Sequence, residues 1–141
     1  MKLSAINRGV IGAMSVAHVA AYKLFGGAST FGLATLILTV RGRKSGRPIS
    51  KPLLYLDDGG RLYLVASYGG SDSPPAWYLN LTANPEVEVQ LGRGTRRCRA
   101  RTLSPAERDA IWPKLVKMYP SYAEYQKNCA RVIPVVELTS I

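Results

Sequence analysis

The residue types best suited to chemistry begin with a basic segment, Arg41-Gly42-Arg43-Lys44-Ser45-Gly46-Arg47-Pro48, called here the basic turn. Its cationic side chains can donate charge-assisted hydrogen bonds, and its two glycines allow a tight backbone turn with exposed N–H groups. Such a segment suits a bound phosphate, although a solvated basic turn explains it equally well. It is not a nucleotide-binding P-loop, because the glycine spacing is wrong and no helix is expected after it.

Aromatic residues form a second group of interest. Trp77 and Tyr78 are adjacent, and Tyr119, Tyr122 and Tyr125 recur at three-residue spacing. Residues three apart share a helix face, so these tyrosines could offer flat apolar walls with hydroxyl tips to a planar molecule. Aromatic residues at helical spacing more often pack in the hydrophobic core and bind no ligand, and that alternative stays open.

Little in the chain supports catalysis without a cofactor. The single histidine, His18, lies in an apolar stretch without a nearby acid, which disfavours a Ser-His-Asp hydrolase. One histidine with two distant cysteines, Cys98 and Cys129, supplies no ordinary zinc site, so we predict no metal centre. Both cysteines are expected as buried apolar residues rather than a disulfide. If the protein is an enzyme, a cofactor carries the reaction and the protein positions it.

Size and charge narrow the possible partners. The chain has 141 residues, enough for one domain, and 47% of them are hydrophobic. Nineteen Lys+Arg against nine Asp+Glu give a net charge of +10, which implies an anionic partner: nucleic acid, acidic lipid or a polyanionic small molecule. A second basic cluster at residues 93–101 lacks interleaved aromatics, so a solvated strand face is favoured there over nucleic-acid binding.

The N-terminal segment carries an apolar run, residues 10–22, behind Lys2 and Arg8. The run is shorter than the ~20 residues that a membrane-spanning helix needs, and no convincing signal-peptide cleavage site follows it. We predict a retained helix over residues 1–27, packed on the domain or lying at a membrane surface, before a second unit at 28–141.

Local patterns predict a small barrel with helices packed on it. Strands are expected at 33–40, 49–56, 62–66, 87–91, 95–101 and 132–138, with a turn at 58–60. Ser73 is expected to cap a short helix that stops at Asn84-Pro85. Ser104 and Glu107 form a capping box for a later helical region, which Pro113 and Pro120 should divide into short pieces.

Several segments in order resemble one known family. Residues 42–46, 52–55, 66–70, 75–85, 112–113 and 118–122 are similar to those of the actinobacterial F-420-dependent reductases, which include deazaflavin nitroreductase. The resemblance runs from about residue 33 to 138. It implies a mainly β, α+β split barrel related to FMN-binding split barrels. It also implies a cytoplasmic oxidoreductase that transfers a hydride from reduced coenzyme F-420 to a quinone, an α,β-unsaturated carbonyl or a nitroaromatic.

The resemblance implies site residues as well. Arg43, Lys44 and Ser45 would hold the cofactor's phosphate, and the anionic oligoglutamate tail gives the positive charge a partner. Ser67, Tyr119, Tyr122 and Tyr125 would be catalytic, facing the acceptor, with Ser67 and Tyr122 also against the cofactor. The remaining cofactor contacts would be Ile49, Ser50, Lys51, Pro52, Leu53, Leu54, Val65, Ala66, Tyr68, Ala76, Trp77, Tyr78, Leu79 and Asn80.

Two alternatives remain beside this interpretation. One is an FMN- or haem-binding split barrel; the other is a basic, non-catalytic module for nucleic acid or acidic lipid. The favoured partners are a planar small-molecule acceptor and peripheral contact with an anionic membrane surface on the cytoplasmic side, with neither nucleic acid nor metal.

Overall fold

A computed structural model describes residues 29–30 and 33–141. The expected N-terminal helix over 1–27, including His18, lies outside the described residues. The strands are β1 (Ser29–Thr30), β2 (Leu33–Arg41), β3 (Pro48–Leu54), β4 (Leu56–Asp58), β5 (Arg61–Val65), β6 (Glu86–Leu91), β7 (Gly94–Thr102) and β8 (Val135–Ser140). The helices are α1 (Ala76–Ala83), α2 (Pro105–Met118) and α3 (Ser121–Lys127).

The strands form one antiparallel sheet in the order β1-β2-β6-β7-β8-β5-β4, and β3 pairs with β2. Since β3 and β4 are separated by Tyr55 alone, they act as one bent strand that joins the two ends of the sheet. The amide of Tyr55 still donates to the carbonyl of Ala34 on β2, at 3.2 Å, before the chain leaves for β5. The sheet therefore curls into a barrel, as the resemblance implies.

The barrel is split between β3 and β5. β4 pairs with β5 from Asp58↔Arg61 to Leu56↔Tyr63, and this ladder goes no further. Beyond that point β5 continues through Leu64 and Val65, paired only with β8 on its other edge. In contrast, β3 remains hydrogen-bonded to β2 as far as Leu54. The two strands consequently diverge and leave a cleft in the barrel wall.

Two apolar cores hold this arrangement. The barrel interior contains residues from β2, β5, β6, β7, β8 and α1, among them Leu36, Val89, Leu138 and Trp77. A second core lies between the outer face of β5 and β8 and the helices α2 and α3, around Val65, Leu115 and Ile133. Cys98 and Cys129 are free and buried, one in each core, as expected.

The helices differ from expectation at Pro113 and at Ser73. The capping box is confirmed: Ser104 Oγ accepts from the Glu107 amide at 3.3 Å, and the Glu107 carboxylate accepts from the Ser104 amide at 2.9 Å. The expected break at Pro113 is wrong, because α2 runs through it. Pro113 is exposed, so water can satisfy the carbonyl that loses its helical partner. Ser73 is not a cap either: α1 begins behind Pro75, without a side-chain cap.

The last strand also starts later than expected, at Val135 rather than Val132. Val132 is 69% exposed, and the Ile133 amide donates to Gln126 Oε1 at 2.9 Å, which takes that amide out of strand pairing. In the described part of the chain, no helix is long and apolar enough to cross a membrane.

Candidate active site

A pocket of about 390 Å³ lies in the cleft between β3 and β5. Its lining is mainly apolar, with a lysine, a serine and several tyrosines as the polar groups. The lining residues are Lys51, Pro52, Leu53, Leu54, Leu64, Val65, Ser67, Tyr68, Gly69, Pro75, Ala76, Trp77, Tyr119, Tyr122 and Tyr125. A concave, mostly apolar cavity of this volume with a few polar groups is typical of a small-molecule site.

The barrel split supplies two walls of this pocket. Lys51 to Leu54 come from the unpaired edge of β3, and Leu64 and Val65 come from the end of β5. Helix α1 adds Ala76 and Trp77. Trp77 is only 7% exposed, because its ring is packed into the interior core while one part faces the pocket.

Three tyrosines from two helices form a third wall. Tyr119 follows α2, and Tyr122 and Tyr125 lie in α3 after the break at Pro120. The ring centroid of Tyr122 lies 5.0 Å from that of Tyr119 and 6.5 Å from that of Tyr125. The hydroxyls of Tyr119 and Tyr125 are 3.5 Å apart. The single helix face predicted from their spacing is therefore wrong for Tyr119, which has an extended backbone between the two helices, but the three rings still meet and border the cavity.

Burial raises the pKa values of two of these residues, Tyr122 and Tyr125. Desolvation raises the pKa of Tyr122 well above its ordinary value, with Tyr119 and Tyr125 as smaller causes. Desolvation, followed by the hydrogen bond with Tyr119, raises the pKa of Tyr125 to about 12. Both hydroxyls are therefore protonated at neutral pH and can donate hydrogen bonds.

The loop after β5 has an unusual backbone. Tyr68, Gly69 and Gly70 take φ values of 45°, 63° and 80°, and Tyr68 is the only non-glycine residue with positive φ among those described. Such a conformation costs an L-residue about 1–2 kcal/mol. Ser67 and Tyr68 nevertheless both line the pocket from this loop. Strain of this kind concentrates at functional sites.

The basic turn uses most of its own backbone donors. The amides of Gly42, Gly46 and Arg47 bond within the turn, to Arg47 O, Gly42 O and Ser45 Oγ. The Arg43 amide donates to Asn80 Oδ1 on α1, at 3.1 Å. The expectation of freely exposed glycine N–H groups is therefore wrong, and an anion at this turn would meet mainly the exposed side chains of Arg43, Lys44 and Arg47.

The structure brings most of the expected site residues to one cavity, but not all of them. Those that line it are Lys51, Pro52, Leu53, Leu54, Val65, Ser67, Tyr68, Ala76, Trp77, Tyr119, Tyr122 and Tyr125. Those that do not are Arg43, Lys44, Ser45, Ile49, Ser50, Ala66, Tyr78, Leu79 and Asn80. Ala66 is wholly buried in the interior core, and the Tyr78 hydroxyl instead contacts Thr102 Oγ1 at 3.0 Å.

Sequence reasoning missed three lining residues: Leu64, Gly69 and Pro75. Strand alternation puts Leu64 on the interior face of the barrel. Nothing in the local sequence pattern indicates that a cavity, rather than packed side chains, lies next to it. Gly69 and Pro75 lie inside the segments that carry the resemblance and next to assigned cofactor contacts, Tyr68 and Ala76, so only the extent of the contacts was underestimated.

The second basic cluster, at residues 93–101, lies away from the pocket, and most of its arginines form ion pairs with carboxylates. Glu86 pairs with Arg97 at 2.7 Å and with Arg99 at 3.3 Å, and Arg101 contacts Glu107 at 2.8 Å and Glu137 at 3.3 Å. This pattern favours the solvated strand face. Among the described residues, no three His, Cys, Asp or Glu side chains cluster as metal ligands.

Comparison with known proteins identifies relatives over most of the chain. A family model described as F420H(2)-dependent quinone reductase matches residues 15–140. The Mycobacterium tuberculosis protein Rv3178, which carries the same activity as a provisional name, is 40% identical over 104 residues. That alignment covers 74% of this chain and 87% of the relative.

Solved structures agree with the sequence comparison. An F420-H2 dependent reductase, FDR-A, is 40% identical and superposes with a TM-score of 0.69, covering 74% of this chain and 93% of that one. The heme storage protein HutZ of Vibrio cholerae is 14% identical with a TM-score of 0.56, covering 76% of this chain and 81% of that one. At that identity the likeness to HutZ concerns the fold alone.

Proposed function

The chain belongs to the F420H(2)-dependent quinone reductase family, and from that premise we propose that the split-barrel pocket receives the deazaflavin ring of coenzyme F-420 together with the quinone. The protein is an oxidoreductase that transfers a hydride from reduced F-420 to a quinone, a small-molecule acceptor. The observation that carries the proposal is the convergence of β3, β5, α1 and the three tyrosines on one cavity at the split.

The chemistry of the lining fits a planar heteroaromatic ring. Leu54, Val65 and Trp77 supply apolar and aromatic surface against which a flat ring can pack. Lys51 adds a cation at the same wall, suited to an electron-rich or anionic edge of the ring. We assign the cofactor's ring to this part of the pocket.

The basic turn suits the anionic part of the same cofactor. Arg43 is anchored to Asn80 on α1, three residues after Trp77, so the turn is tied to the helix that lines the pocket. Lys44 is exposed and bears a charge that can pair with a phosphate or a carboxylate. A ligand with a flat ring and an anionic tail could thus contact both features at once. FMN and haem also combine these properties, but the relatives at 40% identity are named for F-420.

Bound reduced F-420 supplies the hydride, and the residues around the pocket must orient the acceptor and stabilise the charge that develops on its oxygen. Ser67, Tyr122 and Tyr125 offer neutral hydroxyl donors on the pocket wall. Because the pKa values of both tyrosines are raised, losing a proton costs them more than usual. We therefore assign the tyrosines as hydrogen-bond donors, and solvent as the source of the proton that completes the hydroquinone.

The same donors would serve other acceptors. An α,β-unsaturated carbonyl or a nitroaromatic also develops negative charge on oxygen when it accepts a hydride, so we propose both as additional substrates. A mainly apolar pocket with hydroxyl donors would discriminate by flatness and by the position of an oxygen rather than by a particular functional group.

Residues 1–27 remain a candidate for membrane contact. Their apolar run and cationic flanks would suit the anionic inner surface of a membrane, where a lipid-soluble quinone is found. Deleting residues 1–26 should reduce binding to anionic vesicles while turnover of a water-soluble quinone continues. Equal vesicle binding by both forms would exclude the idea.

The decisive experiment compares cofactors and a matched pair of lysine variants. Reduced F-420 should bind more tightly than FMN or NADPH, and Lys44→Ala should weaken that binding by about 1–3 kcal/mol because a charge-assisted contact is lost. Lys117, an exposed lysine on α2, provides the control, and Lys117→Ala should bind F-420 like the wild type. Tighter binding of FMN, or equal losses in the two variants, would contradict the assignment.

A further inference from the structure

Arg131 directs its guanidinium at a single loop. Nε donates to Ser71 O at 2.9 Å, and Nη2 donates to Ala66 O at 3.1 Å and to Ser67 O at 3.0 Å. These carbonyls lie 60 or more residues earlier in the chain. In the part of the chain that the structure describes, no carboxylate pairs with Arg131. Within residues 29–30 and 33–141, the hydrogen bonds of this side chain thus go only to backbone oxygens of one segment.

The bound segment is the strained loop at residues 66–71. Its left-handed run, Tyr68 to Gly70, lies between the Ser67 and Ser71 carbonyls that Arg131 binds. The run packs against α3 at Gly70 without room for a side chain, because a Cβ there would lie 3.1 Å from the Tyr125 carbonyl oxygen. A non-glycine residue holds such a backbone only when its surroundings enforce it. The guanidinium supplies that enforcement from both ends of the run.

The loop in turn forms part of the pocket wall. Ser67, Tyr68 and Gly69 line the cavity, whereas Arg131 does not. We propose that Arg131 is a positioning residue for quinone reduction: by clamping the loop from behind, it holds the Ser67 hydroxyl and the Tyr68 ring at the reacting end of the pocket. This inference rests on the proposed function for its catalytic consequence, but the clamp itself is a property of the protein without any ligand.

Arginine suits this role better than lysine does. Its planar fork presents donors in fixed directions, so Nε and Nη2 can reach the two ends of the loop together. A lysine ammonium offers its donors from one point. The third nitrogen, Nη1, is buried without a hydrogen-bond partner among the described residues, so the contacts of this side chain with the loop come from Nε and Nη2.

The test compares Arg131→Lys with Arg108→Lys. Arg108 is a partly buried arginine whose guanidinium donates to Ile133 O and to Gln126 Oε1, both at 2.8 Å, rather than to carbonyls of the loop. Gln126 in turn donates to the Arg131 carbonyl, so this control shares the neighbouring hydrogen bonds and lacks only those with the loop. Without cofactor, hydrogen exchange at the Gly70 and Ser71 amides, which bond to Ser67 O and Tyr68 O, should accelerate at least tenfold in Arg131→Lys only. Single-turnover hydride transfer at saturating F-420 and quinone should fall at least tenfold in the same variant. Exchange in α1 should stay as in the wild type.

A rescue experiment completes the design. In Arg131→Ala, free guanidinium at non-denaturing concentration should restore both the amide protection and the transfer rate, while urea at equal concentration should not. Exchange and rates equal to those of Arg108→Lys, or exchange accelerated throughout the protein, would overturn the proposal, as would failure of both Arg131 variants to fold with guanidinium present. A wild type that does not oxidise reduced F-420 would instead contradict the proposed function and leave the exchange result valid.

Discussion

Asn80 Oδ1 accepts two hydrogen bonds from Arg43, one from the backbone N–H at 3.1 Å and one from Nη1 at 2.8 Å. Asn80 is 3% exposed, so its oxygen has no substitute partner in water. The contact joins the basic turn after β2 to helix α1, 37 residues later. The two elements expected to bind opposite ends of the cofactor are therefore held together by a single amide oxygen.

Asn80→Ala should weaken F-420 binding by about tenfold. The substitution removes both hydrogen bonds, each worth roughly 0.5–1.5 kcal/mol because water can reach the exposed Arg43, and the basic turn can then move away from α1. Thr82→Ala is the control, since Thr82 lies exposed on the same helix and bonds only to Leu79 O. Fluorescence titration with F-420 measures both. If Asn80→Ala binds F-420 with unchanged affinity and melts at a lower temperature, Asn80 stabilises the fold and does not contribute to cofactor binding.

Removing one tyrosine hydroxyl should slow the reaction without loosening the cofactor. Tyr122→Phe and Tyr125→Phe keep the ring walls and delete a donor, so quinone turnover should fall about tenfold, or 1.4 kcal/mol, at unchanged F-420 affinity. Tyr63→Phe is the matched control: its buried hydroxyl contacts Glu137 and does not line the pocket. If all three variants turn over like the wild type, the tyrosines act through shape alone.

The raised tyrosine pKa values also predict a loss of stability in alkali. An unfolded tyrosine loses its proton near pH ~10, whereas folded Tyr125 keeps its proton until about 12. Between those values the unfolded state binds fewer protons than the native state, so the free energy of unfolding decreases as pH rises. Below pH ~10 both states are protonated and this contribution to stability is complete.

Urea unfolding across that interval checks the expectation. The unfolding free energy of Tyr125→Phe should decline less steeply with pH than that of the wild type, because one of the linked groups is gone. As the pH is raised, the tyrosinate absorbance of the native protein should appear at a higher pH than that of the unfolded protein, for the same reason. Parallel slopes for the two proteins would show that Tyr125 titrates normally in the fold.

Much of the fold could be predicted because its signals are local. Alternation of Val87, Val89 and Leu91 with polar residues marks a half-buried strand, and Ser104 with Glu107 marks a helix start. The bend at Tyr55 could not be predicted in this way, since no glycine or proline accompanies it. It follows from the competition of β2 and β5 for one strand, which is a tertiary effect.

The sequence predicted which residues form the site better than it predicted how they are arranged. Resemblance indicated the pocket segments, but the internal hydrogen bonds of the basic turn depend on where Asn80 lies after folding. Arg131 belongs to no motif, and a lone arginine in a basic chain carries no signal of its own. Its relevance appears only when residues 66–71 and 131 are adjacent in space.

Gly70 offers a last test, because it combines a positive φ with close contact. A Cβ at Gly70 would meet Tyr125 O at 3.1 Å and Tyr125 Cα at 3.2 Å, with φ at +80°. Gly59 in the β4–β5 turn has φ at +66° but nothing within 4 Å of such a Cβ. The two Gly→Ala variants therefore share the backbone cost of about 1–2 kcal/mol and differ in the steric clash.

Gly70→Ala should lower the free energy of unfolding by at least ~1 kcal/mol more than Gly59→Ala, as measured by urea denaturation. The clash is with backbone atoms of α3, so relieving it requires a shift between the loop and the helix that carries Tyr122 and Tyr125. Quinone turnover per folded molecule should consequently fall in Gly70→Ala and stay at the wild-type level in Gly59→Ala. Equal stability and equal turnover in the two variants would mean that the loop and α3 separate readily, and that the pocket wall they form together is not rigid.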